Sequence, residues 1–336
     1  MADAAPASRL SLTLDLNASG RHVGDLTLRW SDNAIPLGYY PIPLISLRGG
    51  EGPVLLVIGG THGDEFEGPA AVMRLAERLD PAALRGQVIF IPALNAPAFA
   101  ASARVSPLDS ANLNRAFPGD RNGGPTAMIA DYIERVLMPR CNAVIDLHSG
   151  GKMSFFTPCT LATRTADPEL YKSNLALAEM FGLPLIWELG ANNDDRSVNG
   201  AAERAGLPMI ATELGGGGGV EPWIAQAAED GLLRTLGHLG ILEGAPKPVD
   251  ARRVAIADPL HSVTAPAAGL FDRATAAGQD VRAGDLAGHF HFPLEPRRPS
   301  EALTFGADGY VLAHTCRGCV QKGETLALVV QDVADT

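Results

Sequence analysis

The stretch VLLVIGGTHGDEFEGP, residues 54–69, begins with five apolar residues, Val54 to Ile58, closed by Gly59 and Gly60. A continuous apolar run punctuated by glycine reads as a strand buried on both faces, the kind found inside a parallel sheet. Comparable runs occur at VIFIPAL (88–94), AVIDL (143–147), LPLIW (183–187) and LPMIAT (207–212). Between them, Glu67 to Leu79, Thr126 to Met138 and Pro168 to Phe181 have helical spacing. The last of these is opened by Asp167-Pro168 and closed by Gly182, a cap, first-turn proline and stop signal. Strands alternating with helices predict an α/β domain built on a mixed, largely parallel sheet flanked by helices.

Outward from this centre the style changes. Residues 9 to 47 alternate apolar and polar, with Leu10, Leu12, Leu14 and Leu16 on one side and Leu26, Leu28 and Trp30 repeating the pattern. This predicts an N-terminal β segment over residues 1–50. A helical stretch, Glu221 to Leu242, ends the α/β domain, assigned to residues 51–245, and EGAPKP reads as a linker. Residues 250–336, with GLFDR, GYVLAHT and TLALVV among glycines and prolines, predict a small all-β C-terminal domain.

The chain has 336 residues, enough for about two domains at roughly 150 residues each. Lys and Arg number 27 against 38 Asp and Glu, a formal net charge of −11, which argues against nucleic acid or an anionic membrane as partner. Four cysteines are too few for a secreted disulfide framework. The N-terminus lacks the basic start and apolar stretch of a leader, and no apolar run approaches the ~18 residues of a membrane span. A soluble, cytoplasmic protein is expected.

Ligands of open α/β sheets gather at the carboxyl ends of the strands. After the strand at 54–60 come Thr61-His62-Gly63-Asp64-Glu65; after AVIDL comes His148; after LPMIAT comes Glu213. His62 and Glu65, three residues apart, can meet one ion in a tight turn, and His148 completes a His-Glu-His set. Three protein ligands with an open fourth position describe catalytic zinc, and imidazole with carboxylate suits zinc better than magnesium. Glu213 is then left free to take a proton from an attacking water as general base. An H-x-x-E pair alone arises often by chance, and a single strand-end histidine is commonly hydrogen-bonded into the structure. The co-location of all four at the ends of strands of one sheet is what favours metal chemistry.

Four segments in order, GGTHGDEFEGP, NLNRAFPG (112–119), DLHSGG (146–151) and TELGGGG (212–218), resemble the succinylglutamate desuccinylase/aspartoacylase family, related to the zinc carboxypeptidases. The resemblance implies one zinc per chain held by His62, Glu65 and His148, with Glu213 as base and later proton donor to the leaving amine. It implies that Asn114 and Arg115 hold a substrate carboxylate, a role suited to the guanidinium fork. It places an arginine ahead of that pair to polarise the scissile carbonyl, for which Arg104 is the candidate. The form of the NLNRAFPG segment is similar to that of the branch releasing acetate from N-alpha-acetyl-L-2,4-diaminobutyrate in ectoine degradation. Alternatives are N-acyl acidic amino acids such as N-succinylglutamate or N-acetylaspartate, carboxypeptidase action on peptides, or an inactive hydrolase scaffold acting as a binding protein. A homo-oligomer, dimer or larger, is also implied.

The acidic pair Asp194-Asp195 reads first as a solvated turn and second as carboxylates for a cationic substrate side chain. Arg196 is the second cation that an acidic substrate would require. The run Gly215–Gly219 reads as a loop shaping the pocket beside Glu213 rather than a phosphate cradle, since no lysine follows it. Cys316-Arg-Gly-Cys319 reads as ordinary strand-turn cysteines, and His289 with His291 as a solvent-facing pair. The acidic surplus lies mostly before residue 251, because residues 251–336 carry 8 basic and 10 acidic side chains. Such a field tolerates a cationic substrate side chain better than a second carboxylate.

Overall fold

A computed structural model describes residues 8–190, 193–244, 246–247 and 249–333. Its large mixed sheet runs through Gly20–Leu28, Tyr40–Arg48, Gln87–Ile91, Val54–Gly59, Ala143–His148, Met209–Glu213, Cys159–Thr163 and Leu185–Leu189, then on into Arg252–Ala255, Thr325–Asp332 and Gly309–Thr315. The four strands from Gln87–Ile91 to Met209–Glu213 are parallel. Tyr40–Arg48 borders them antiparallel on one side and Cys159–Thr163 on the other.

The apolar runs form strands because both faces are covered. Along Val54–Gly59 the pleat sends Leu56 and Ile58 into one core and Leu55 and Val57 into another, all fully buried. The Leu55 side is closed by Val72 and Leu75 of helix Glu67–Arg78, Leu177 and Phe181 of Pro168–Phe181, and Leu232 and Leu236 of Pro222–His238. The Leu56 side meets Leu26, Leu44, Met128, Ile133 and Val198. Each such side chain contributes about 1.5–3 kcal/mol on burial.

Several expectations are met closely and others are modified. Pro168–Phe181 is a helix with Asp167 accepting from the Glu169 N–H and Gly182 in the left-handed region at φ 73°. The segment expected as one helix from Thr126 to Met138 is α-helical over Pro125–Tyr132, continues as a π turn over Ile133–Leu137 and tightens to a 3₁₀ turn at Met138–Arg140. Pro139 has no N–H to continue a ladder, so the helix stops there. The C-terminal residues build a separate four-stranded sheet, Glu301–Thr304, Leu286–His291, Gly269–Arg273 and Cys319–Val320, around its own core. Their other strands lengthen the main sheet: Arg252–Ala255 pairs parallel with Leu185–Leu189.

The strands Val54–Gly59 and Ala143–His148 are neighbours whose outgoing connections run to opposite sides of the sheet. The crevice at their carboxyl ends is the switch point where ligands of such sheets bind. Between Val54–Gly59 and its helix, the turn holding His62 and Glu65 lies flat on the short helix Ala96–Ala100. A Cβ on Gly63 would come within 2.0 Å of the Ala98 carbonyl carbon. Gly63→Ala is therefore expected to cost about 3 kcal/mol through overpacking against backbone and to displace both flanking donors, seen as a lowered Tm together with lost metal in a metal-content assay.

Candidate metal centre and active site

Glu65 sits between two imidazoles. Its Oε1 lies 2.7 Å from His62 Nδ1 and its Oε2 2.9 Å from His148 Nδ1. All three residues are buried, and one donor atom from each falls within 4.8 Å of the others. The outward nitrogens are held separately: His62 Nε2 lies 3.1 Å from Asn112 Oδ1, and His148 Nε2 2.7 Å from Asp146 Oδ2. Asp146 accepts in turn from the Thr61 hydroxyl at 2.8 Å. An Nε2–H donated outward makes Nδ1 the nitrogen whose lone pair would face a cation, the arrangement that fixes ring and tautomer in metal-ligating histidines.

Burial opposes a charge on Glu65, but the His148 and His62 rings more than offset it and hold its carboxyl well below the usual carboxylate range. For His148 burial again works against the charge, while Asp146 and Glu65 raise its pKa well above the ordinary imidazole value. Without a cation the cluster therefore holds a proton where a metal would place positive charge, and metal uptake must release it. Two buried imidazoles and a carboxylate converging on one point suit zinc.

Glu213 ends the strand Met209–Glu213 and is the register partner of His148 on the adjacent strand. Its Oε2 is closed from solvent and has no hydrogen-bond partner. Burial first, then the Glu65 charge, pushes its pKa up to about 8. An acceptor oxygen left without a partner beside an ion site fits a group that meets its partner only when ligand is present.

The cavity at this point has a volume of about 180 Å³ and is lined by His62, Glu65, His148, Glu213, Arg104, Asn114, Arg115 and Asp194, among others. Arg104 reaches Glu65 Oε1 at 3.3 Å. Asn114 stands with its amide nitrogen 3.4 Å from His148 Nε2, and its carbonyl oxygen accepts the Val198 N–H at 3.0 Å. The Arg115 Nε lies 3.0 Å from Asp194 Oδ2. Asp194 also takes a two-pronged bond from Arg196, at 3.0 and 2.8 Å, which with Arg115 holds its carboxyl well below the usual range. Asp195 and Arg196 are exposed and do not line the cavity.

Four lining or supporting residues carry signals that spacing alone does not reveal. Asp146 and His148 share a face through the period-two pleat, and Asn112 caps the 3₁₀ turn Leu113–Arg115. Leu161 and Trp187 come from register-paired strands that bring them into the same wall; the buried Trp187 Nε1 has no partner. The remaining sequence candidates lie elsewhere: Cys316 and Cys319 are exposed free thiols, and His291 Nδ1 is 2.7 Å from Ser300 Oγ.

A parallel-centred α/β sheet with a buried His-Glu-His set and an adjoining glutamate at the carboxyl ends of its strands defines an α/β protein of the carboxypeptidase-like kind with a candidate metal site. The chain belongs to the succinylglutamate desuccinylase/aspartoacylase family, whose catalytic domain matches residues 51–239. It is 35% identical over 331 residues, 97% of this chain and 96% of the relative, to an N-alpha-acetyl-L-2,4-diaminobutyric acid deacetylase from Halomonas elongata. The product-bound structure of the ectoine utilization protein EutE (DoeB) from Ruegeria pomeroyi superposes with a TM-score of 0.93 at 33% identity, covering 97% of this chain and 99% of that one. A succinylglutamate desuccinylase/aspartoacylase from Rhodobacter sphaeroides gives 0.92 at 34% identity, covering 97% and 100%. Among the described residues no helix is long and apolar enough to cross a membrane.

Two predictions follow from the electrostatics. Asp146→Asn removes the anion behind His148 and is expected to weaken zinc binding by about 10–100-fold in a competition titration. Because the folded-state pKa of Glu213 is raised from 4.5 to about 8, the unfolded chain gives up this proton first. The metal-free protein should thus lose stability as pH rises through that window. In chelator, Glu213→Gln should melt above the wild type by a margin that grows from pH 5 to pH 8.5, of the order of a few kcal/mol.

Proposed function

We propose that this protein is a zinc-dependent deacylase that hydrolyses N-alpha-acetyl-L-2,4-diaminobutyrate to L-2,4-diaminobutyrate and acetate. The observation that carries this reading is one cavity holding a buried His-Glu-His set, a partnerless Glu213 oxygen and, among its described lining residues, only two arginines, Arg104 and Arg115. The 35% identity to a deacetylase of that substrate supports it.

His62, Glu65 and His148 would hold the metal, which when bound supplies the Lewis acidity that lowers the pKa of water toward neutrality and polarises the scissile carbonyl. Glu213 removes the proton of the attacking water and later delivers it to the departing nitrogen. A cation held by His62, Glu65 and His148 would offset the Glu65 charge that helps to raise the Glu213 pKa in the metal-free protein, and so favour the ionised form that can accept the proton. Arg104 faces the region where negative charge develops on the acyl oxygen. Arg115 meets the α-carboxylate, with Asp194 on its Nε fixing the direction of the remaining guanidinium edge. Asn114 accepts the Val198 N–H with its side-chain oxygen and so holds the start of helix Val198–Arg204 beside the cavity, while its amide N–H group remains available to the substrate carboxylate.

The substrate follows from the cation count. One arginine for the α-carboxylate and one for the developing oxyanion leave no lining guanidinium for a second carboxylate. Arg196, the sequence candidate for that task, is turned onto Asp194 outside the cavity. An N-acetylated amino acid with a cationic side chain therefore fits better than N-succinylglutamate or N-acetylaspartate.

The zinc-loaded protein is expected to cleave N-alpha-acetyl-L-2,4-diaminobutyrate at least about tenfold faster, in kcat/KM, than either acidic amide, a difference of about 1.4 kcal/mol. Glu213→Gln should keep its zinc while kcat drops by about two to four orders of magnitude. Faster turnover of the acidic amides would reverse the substrate assignment, and near-normal turnover by the variant would remove Glu213 from the base role.

A further inference from the structure

The run Gly215–Gly219 directly follows the strand that presents Glu213, and its first four members have φ of 73, 133, 78 and 80°. Such a segment has no side chains with which to fix itself and is costly to order. Its neighbours do the fixing. The Gly217 N–H donates to the Ser154 carbonyl at 3.1 Å and the Gly218 N–H to the Gly151 carbonyl at 2.9 Å; the Gly215 carbonyl accepts from Gly150 and Phe156 at 3.0 and 2.9 Å. A Cβ on Gly216 would lie 2.2 Å from the Ser154 oxygen, so the loop is pressed against the short strand Ser154–Phe156.

One anchor of the loop is a side chain. The Gly216 N–H donates to Glu67 Oε1 at 3.0 Å. Glu67 is only 1% exposed and opens the helix Glu67–Arg78. The next residue, Gly68, is pressed on the strand that carries His148, where an added Cβ would lie 2.6 Å from Leu147 Cβ, and beyond it the Ser149 N–H donates to Glu65 Oε2 at 3.1 Å. Glu67 thus joins the loop after Glu213 to a helix start seated on the strand of His148. Its second oxygen has no partner. A carboxylate at a helix start needs no burial to favour the helix, and a buried one half satisfied is destabilising on its own account. What it contributes is the link between the two strand ends.

We propose that Glu67 is a positioning residue that fixes the loop behind Glu213 relative to the His148 strand and so sets the direction from which Glu213 meets the attacking water. The proposal rests on the deacylase reading and extends it to a residue outside the cavity lining. A misplacement of about 1 Å of a reacting group can cost about 100-fold in rate.

The test compares wild type with Glu67→Met, which fills similar space without an acceptor, and Glu67→Gln, whose amide oxygen can still receive the Gly216 N–H; Glu67→Ala replaces the methionine variant should that one fail to fold. In zinc-loaded protein acting on N-alpha-acetyl-L-2,4-diaminobutyrate, Glu67→Met should lower kcat by about 10–100-fold, with KM and zinc content held within about twofold. Glu67→Gln should restore most of the rate. Amide hydrogen exchange in a peptide spanning residues 213–220 should quicken in the methionine variant and not in the glutamine one. Unchanged kcat, or unchanged exchange, overturns the proposal; so does a loss that appears in Tm alone. If the wild type cleaves no N-acyl amino acid, the deacylase reading fails, and the exchange comparison still decides whether Glu67 holds the loop.

Discussion

A single carboxylate shared between two imidazoles sets the terms for the centre of this molecule. Glu65 spends one oxygen on His62 and the other on His148, so the turn after one strand and the tip of its neighbour must arrive at a fixed separation. That requirement explains why the His62–Glu65 turn has glycine where it touches the helix beneath it. It also explains why Asp146 and Asn112 brace the far sides of the rings. Neither imidazole could rotate to improve one contact without losing another.

The charges around this point are balanced so that each depends on the rest. Glu65 stays ionised because two rings face it, while Glu213, two strands over, is pushed the other way by burial and then by the same buried carboxylate. The environment thus drives apart the pKa values of two glutamates at the carboxyl end of one sheet, as expected where one carboxylate is to bind and the other to move a proton. At the rim, Asp194 carries two guanidiniums, so the acidic turn also braces Arg115.

The cluster of His62, Glu65 and His148 and its neighbour Glu213 were legible in the chain because each follows or ends a short apolar run, and an α/β sheet brings such ends together. The supporting residues were harder to see. Asp146 lay within a quoted segment, but its task depends on the pleat that places it beside His148. Trp187 and Leu161 reach the cavity through register across three strands, which no local spacing encodes. The strand Cys159–Thr163 is short and half threonine and cysteine, too weak a pattern to stand out, and the helix Val198–Arg204 is under two full turns of strong signal. The extension of the main sheet into residues 252–332 rests on pairings between segments more than sixty residues apart, such as Leu185 with Arg252.

That extension bears on how the protein is made. Thr325–Asp332, almost the last of the described residues, lies between Arg252–Ala255 and Gly309–Thr315, and Gly309–Thr315 in turn pairs with Ser154–Phe156, which flanks the glycine loop. During synthesis the apolar centre can collapse early, since its strands are complete by residue 213. The edge that supports the loop behind Glu213 has to wait for nearly the whole chain to leave the ribosome, because pairings of such long sequence separation form late. A nascent chain can therefore bring His62, Glu65 and His148 together well before the loop behind Glu213 gains its support.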